Sequence, residues 1–252
     1  MKTAVISGGN GGLGQALARR LQGQGWRTVL LDLNIDGLST TETQIPLACD
    51  LTDARQLADA TAQIIAMCPT IDLVIYNAGI TQIGAFSDTS VDTIRKVFEI
   101  NVFAAINMAK AFLTPLRDSQ GTHLAISSVA GFSPLYHRTA YAASKHALEG
   151  FFGSLRSEEA AYGVKSLIAA PSFVATNIGN DQRQSDGVAR PGSATDGLDY
   201  MTPDQAADII LRGVSKHAAF TPVGRIARLS YVINRVSPRL FQHLMEKNIK
   251  GT

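Results

Sequence analysis

Short apolar runs alternate with longer stretches in which apolar residues recur every three or four positions. The runs at residues 3–7, 28–32, 45–49, 73–76, 122–127 and 165–170 are mostly apolar, several rich in β-branched residues, and read as strands, with a seventh candidate at 218–221. Between them, residues 13–24, 54–67, 91–117, 140–162 and 203–216 carry the periodicity of helices with one buried face. This alternation predicts right-handed βαβ units and an α/β fold with a parallel sheet covered on both faces. Residues 180–200 have little periodicity and are rich in Gly, Ser, Asp and Arg, which predicts a mobile loop; one that long in a compact domain usually has a function. Residues 224–249 are apolar on one side and basic on the other.

Composition narrows the classes. The 252 residues suffice for one large domain and are few for two. Apolar residues at 45% supply a core, and charged residues at 17% are too few for a disordered chain. A net charge of +2 argues against a nucleic-acid partner held by broad phosphate contact. Cys49 and Cys68 form no CxxC pair and read as free thiols of a reducing, cytoplasmic setting. The start runs straight into the first strand, so neither a secretory leader nor a bilayer span is expected. No His, Cys, Asp and Glu spacing suggests a metal, and no Gly-x-Ser-x-Gly elbow suggests a serine hydrolase.

Chemistry enters at the end of the first strand. Ser7-Gly8-Gly9-Asn10-Gly11-Gly12-Leu13-Gly14 joins that strand to a helix. A dinucleotide needs this: Gly8 for the tight turn, Gly12 for close backbone approach to the pyrophosphate, Gly14 for helix–strand packing, and a helix N-terminus facing the phosphate charge. Asp32 ends the second strand, where a carboxylate accepts from the adenosine ribose and repels a 2′-phosphate. Leu33 and Asn34 follow it, with no cation, so NAD is expected over NADP.

Tyr141 and Lys145 stand at i and i+4 of a helical pattern and share one face. An ammonium near a phenol favours the phenolate, which lets a tyrosine exchange protons with a hydroxyl or carbonyl oxygen. Ser128 follows the strand at 122–127, at the carboxyl end where open α/β sheets bind ligands, and can hydrogen-bond a substrate oxygen. Tyr136 and Tyr162 lack a lysine four residues on.

Taken in order, the Gly8–Gly14 loop, Asp32, Asp50-Leu51, Asn77-Ala78-Gly79, Asn101, Ser128, Tyr141-x-x-x-Lys145 and the Pro171 turn resemble the single-domain short-chain dehydrogenase/reductase family. The resemblance implies a Rossmann-like, doubly wound parallel sheet and an NAD-dependent oxidoreductase interconverting a secondary alcohol and a ketone, with residues 1–222 as the dinucleotide-binding catalytic domain and residues 223–252 as its helical extension. Ser128, Tyr141, Lys145 and Asn101 are then the catalytic set. Asn101 bends its helix and holds a water linking Lys145 to a proton relay, and Lys145 also binds the nicotinamide ribose. Around the dinucleotide it places Ser7, Gly8, Asn10, Gly11, Gly12, Leu13, Gly14, Asp32, Leu33, Asp50 beside the adenine, Leu51, Asn77, Ala78, Gly79, Tyr141, Lys145, Pro171, Val174 and Thr176. It further implies a homodimer or homotetramer built on the helices at 91–117 and 140–162. Two departures stand out: Ser7 replaces the usual Thr, and Pro171-Ser172 replaces Pro-Gly, which puts the backbone beside the nicotinamide in question.

Two histidines lie nearby. His146 faces away from Lys145, and His137 sits in a loop that could line a substrate pocket. Phe132, Leu135, Tyr136, Phe173 and Ile178 could supply its apolar walls, with the 180–200 loop as a lid loosened by Gly187, Gly192 and Gly197. In the tail, Ser237-Pro238 reads as a helix start. Leu240, Phe241, Leu244, Met245 and Ile249 form one apolar stripe, and Ile226, Leu229, Val232, Ile233 and Val236 another. Packing on the body is the simpler reading and a membrane surface the alternative; either suggests a lipophilic substrate. Two other functions share these motifs: a catalytically silent dinucleotide sensor, disfavoured because the catalytic positions are filled, and a nucleotide-sugar epimerase, disfavoured because there is no room for its second domain.

Overall fold

The structure, a computed structural model, describes residues 1–176, 184–189 and 200–250. In chain order the elements are β1 (Thr3–Ser7), α1 (Gly12–Gln22), β2 (Arg27–Asp32), β3 (Gln44–Ala48), α2 (Ala54–Met67), β4 (Leu73–Tyr76), β5 (Thr81–Gln82), α3 (Val91–Phe98), α4 (Ala104–Ala111), α5 (Leu113–Ser119), β6 (Thr122–Ile126), α6 (Thr139–Glu159), β7 (Lys165–Pro171), β8 (Val188–Ala189), α7 (Pro203–Ser215), β9 (Phe220–Val223), α8 (Arg225–Val236) and α9 (Pro238–Lys250). Seven strands form one parallel sheet in the order β3-β2-β1-β4-β6-β7-β9.

The strands read as continuous apolar runs because both faces are covered. Alternate side chains serve two cores. Val5, Val29, Val74 and Ile168 meet α2, α4 and α6 through Ile64, Met108 and Phe152. Ala4, Ile6, Leu30, Ile75 and Leu167 meet α1 and α7 through Leu17 and Ile210. Between β1 and β4 the strand order reverses, and that switch point opens a crevice at the strands' carboxyl ends.

The single helix expected over 91–117 is three helices. One turn of π-helix, Glu99–Phe103, separates α3 from α4, and the chain bends by 53° between residue 111 and α5. The bend follows from Pro115, which has no N–H for the Ala111 carbonyl and crowds it. Missed as well was the antiparallel pair β5–β8, Thr81 against Ala189 and Gln82 against Val188.

The loop expected over 180–200 lies largely outside the described residues, as do Ile178, Gly192 and Gly197. Its described part, residues 184–189, is anchored rather than loose. Gly187 has φ +79, and a Cβ there would sit 2.9 Å from the Ile83 carbonyl oxygen, so this glycine permits a close approach. The tail forms the two expected helices, the second opened by Ser237, whose hydroxyl accepts from Leu240 N–H. Its apolar positions divide. Ala227 and Phe241 are buried, whereas Leu229, Val232, Val236, Leu240 and Leu244 are exposed instead of packing on the body. No helix among the described residues is by itself long and apolar enough to cross a membrane.

Candidate active site

β1 delivers the chain to the glycine loop at the switch point. Ser7 Oγ donates to the Ile75 carbonyl at 3.2 Å and accepts from the N–H groups of Asn77 and Ala78 at 3.0 and 3.1 Å. Asn77 Nδ2 donates to the carbonyls of Ser7 and Gly8. The serine hydroxyl thus ties the two strand ends at the reversal together, which explains why losing the usual threonine's methyl leaves the turn intact. Gly8 has φ +63, and a Cβ on Gly14 would overlap the Gly8 carbonyl oxygen. α1 opens at Gly12 with no capping side chain, leaving its first N–H groups available to an anion. Thr176 backs Gly12, where a Cβ would come within 3.1 Å of it.

A cavity of about 710 Å³ runs from this loop along the strand ends to Tyr141. Asp32, Leu33, Asn34, Asp36 and Asp50 line one end. Asp32 is held by Asn10, whose N–H donates to its Oδ2 at 2.9 Å, while Asp50 accepts from both the N–H and hydroxyl of Thr52. The basic residues among the described lining are Lys145 and Arg138, both at the Tyr141 end. A glycine cradle and an open helix N-terminus fit a dinucleotide, and the far end of the cavity is acidic.

β6 ends at Ile126, and Ser128 stands beyond it in extended backbone, its hydroxyl accepting from Ala130 N–H at 3.2 Å. α6 brings Tyr141 against it, and Ser128 hydrogen-bonds the phenol. One turn on, Lys145 is 5% exposed and donates from Nζ to the Ile126 carbonyl at 2.9 Å. Its Nζ lies 5.8 Å from the Tyr141 ring centre. Burial pushes the phenol up, against the Ser128 hydrogen bond and the Arg138 charge. The sequence leads one to expect the lysine to lower it; burial outweighs the groups that lower it. Burial also pulls the Lys145 ammonium down to about 8, opposed by the Glu149 charge.

Asn101 lies in the π turn. Its Oδ1 accepts from Ile80 N–H at 2.8 Å, and its Nδ2 donates to the Ile80 carbonyl at 2.9 Å and to Ser144 Oγ at 3.0 Å. Those contacts fix the chain after Asn77-Ala78-Gly79 against α6. Ser172 has no left-handed backbone; its N–H donates to the Val223 carbonyl at 3.1 Å, and its hydroxyl packs on Gly224, which has φ +101. Serine therefore fits where the family has glycine.

Ser128, Tyr141, Lys145, Asp32, Leu33, Asp50, Leu51, Asn77, Ala78, Gly79, Pro171, Val174, Thr176, Gly8, Asn10, Gly11, Gly12 and Leu13 all line this one cavity, whereas Ser7, Gly14 and Asn101 stand behind its wall. Of the expected apolar walls, Leu135 and Phe173 line it. Phe132 instead packs edge-on to Phe220 and Tyr231, and exposed Tyr136 stacks on His137 at 3.7 Å, so neither of these nor His137 contributes. Sequence reading missed Ile80, Ile83, Ile100, Arg138 and Tyr200. Position relative to a motif could have found Arg138, three residues before Tyr141, and Ile100, beside Asn101.

A family model described as short chain dehydrogenase matches residues 2–187. The dehydrogenase/reductase SDR family member 7B of Rattus norvegicus is 32% identical over 262 residues, covering 96% of this chain and 79% of that protein. Among solved structures, a short-chain dehydrogenase from Streptomyces avermitilis superposes with a TM-score of 0.83 at 25% identity, over 100% of this chain and 99% of that one. A short chain dehydrogenase from Burkholderia cenocepacia J2315, solved in complex with NADP, has a TM-score of 0.84 at 21% identity over 96% of each chain.

Proposed function

This chain belongs to the short-chain dehydrogenase/reductase family of oxidoreductases, and from that premise we propose that it interconverts a lipophilic secondary alcohol and its ketone with NAD. The observation that carries the reading is the convergence of Ser128, Tyr141 and Lys145 at one end of a cleft whose other end is a glycine cradle facing Asp32. The nicotinamide, when bound, accepts the hydride during oxidation and supplies it during reduction. The chain's own residues handle the proton. The Tyr141 hydroxyl, kept protonated by burial, gives its proton to the carbonyl oxygen in reduction; in oxidation the phenolate takes the alcohol's proton, a form that an ammonium nearby, here Lys145 one helical turn on, favours by charge. Ser128 presents a hydroxyl to the same substrate oxygen and steadies the charge that develops there. Asn101 acts at one remove, by fixing Ile80 and Ser144.

NAD is the better fit because Asp32 and Asp36 line the far end and no described cation does. The NADP in the Burkholderia protein belongs to a chain at 21% identity and does not decide the matter here. Ile80, Ile83, Ile100, Leu135 and Phe173 make the cavity wall apolar, which favours steroid-like or acyl-chain ketones over small polar ones. On this reading residues 1–222 form the catalytic unit, residues 223–252 extend it, and the protein is a homo-oligomer. The test is a ketone series of rising apolar size followed by loss of reduced-nicotinamide absorbance, run with NADH and NADPH. We expect kcat/KM to rise with size and NADH to be preferred at least tenfold, about 1.4 kcal/mol. Equal use of both dinucleotides contradicts the role of Asp32, and a series favouring small polar ketones contradicts the substrate class.

A further inference from the structure

Glu149 is a partly buried carboxylate that the chemistry above does not use. It stands on α6 one turn beyond Lys145 and two beyond Tyr141. Its Oε1 accepts from Ser127 Oγ at 2.6 Å. A Cβ on Gly131 would overlap both the Ser127 hydroxyl and this carboxylate, so the short turn Val129–Gly131 is built around the pair. Three side chains spaced one helical turn apart therefore hold three consecutive residues of the chain leaving β6. Lys145 holds the Ile126 carbonyl, Glu149 the Ser127 hydroxyl and Tyr141 the Ser128 hydroxyl.

Removing a carboxylate from water is costly unless charge or hydrogen bonds compensate it. Burial pushes the Glu149 carboxyl up. Opposing that are the Ser127 hydroxyl, His146 and Lys145 on the same helix, and Arg235 from α8. Lys145 has the mirror-image problem: its ammonium is buried, and Glu149 is the charge that supports it.

We propose that Glu149 is a positioning residue, which braces the Ser127–Ser128 turn against α6 and supplies a counter-charge one helical turn from the Lys145 ammonium. The inference rests on the roles of Tyr141 and Lys145 proposed above. It divides into a hydrogen bond and a charge, and two variants separate them. Glu149→Gln is nearly isosteric and retains an acceptor for Ser127 without the charge. Ser127→Ala removes the hydrogen bond and keeps the charge. Each is checked for wild-type thermal unfolding, and NADH binding is then followed by its fluorescence across pH.

Binding should weaken once Lys145 loses its proton. In Glu149→Gln that weakening should begin about one pH unit lower than in the wild type, because a supporting charge is gone. Glu149→Asp, which keeps the charge, should retain the wild-type profile. Ser127→Ala should lower kcat several-fold with the binding profile in place. A Glu149→Gln profile identical to the wild type overturns the counter-charge, and an unchanged kcat in Ser127→Ala overturns the brace. Failure of the underlying reading looks different: Tyr141→Phe would then turn over ketone at the wild-type rate, whatever the binding profiles show.

Discussion

Tyr141 is buried enough that its phenol resists ionisation, and Lys145 is buried enough that its ammonium is pulled down to about 8. The two directions of the reaction should therefore respond oppositely to pH. Ketone reduction needs the phenol and should fall as pH rises, while alcohol oxidation needs the phenolate and should climb, as initial rates with saturating substrate will show. His123 is a further buried titrating group. Its Nδ1 meets the Tyr76 hydroxyl at 2.6 Å, its Nε2 has no hydrogen-bond partner among the described residues, and desolvation lowers it to about 4. Below an unfolded value near 6.5 the unfolded chain binds the proton first, so stability is lost as pH falls from about 6.5 toward 4, by on the order of 3 kcal/mol. His123→Phe should flatten that part of the denaturation midpoint against pH; an unchanged slope would mean that other groups set it. At this scale Ser128, Tyr141 and Lys145 were legible because their spacing along one strand and one helix is the signal. Glu149 was not, because its partner Ser127 and its neighbour Arg235 come from other elements.

The strands were legible as apolar runs, since a sheet buried on both faces needs little else, and their ends fell within two residues of those expected. Helix interruptions were harder to read. Pro115 marks one break, but the π turn at Glu99–Phe103 has no composition that distinguishes it from α-helix. Its reason lies across the molecule, where Asn101 reaches the Ile80 backbone and Ser144. Asn101→Ala leaves the Ile80 N–H and carbonyl without that partner and should cost about 1–3 kcal/mol in urea denaturation, together with a fall in kcat larger than any rise in KM. A variant equally stable and active would deny the turn its positioning role. β5 and β8 were invisible for a related reason. Each is two residues long, and they pair across more than a hundred positions of sequence. Gly187 looked like a loosening residue in a loop and instead permits the approach to Ile83.

For the whole molecule, the exposed side chains locate surfaces the isolated chain leaves uncovered. Phe103 at 47% and Val91 at 61% exposure lie on the segment proposed to pair between subunits, and light scattering at micromolar concentration should report a dimer or tetramer. A monomer alone would contradict that assembly. The tail adds exposed Leu229, Val232, Val236, Leu240 and Leu244, which its sequence suggested would be covered. Helical periodicity gives an apolar stripe without saying which neighbour meets it. The central claim concerns the end of the cleft where Ser128, Tyr141 and Lys145 meet. Its most direct test compares wild type with Tyr141→Phe on one verified ketone, measuring NADH affinity and single-turnover oxidation of bound NADH. NADH should bind the variant within about twofold, while the single-turnover rate falls by roughly 10²- to 10⁴-fold, because only the transferable proton is gone. A Tyr141→Phe enzyme that oxidises NADH at the wild-type rate would contradict the account.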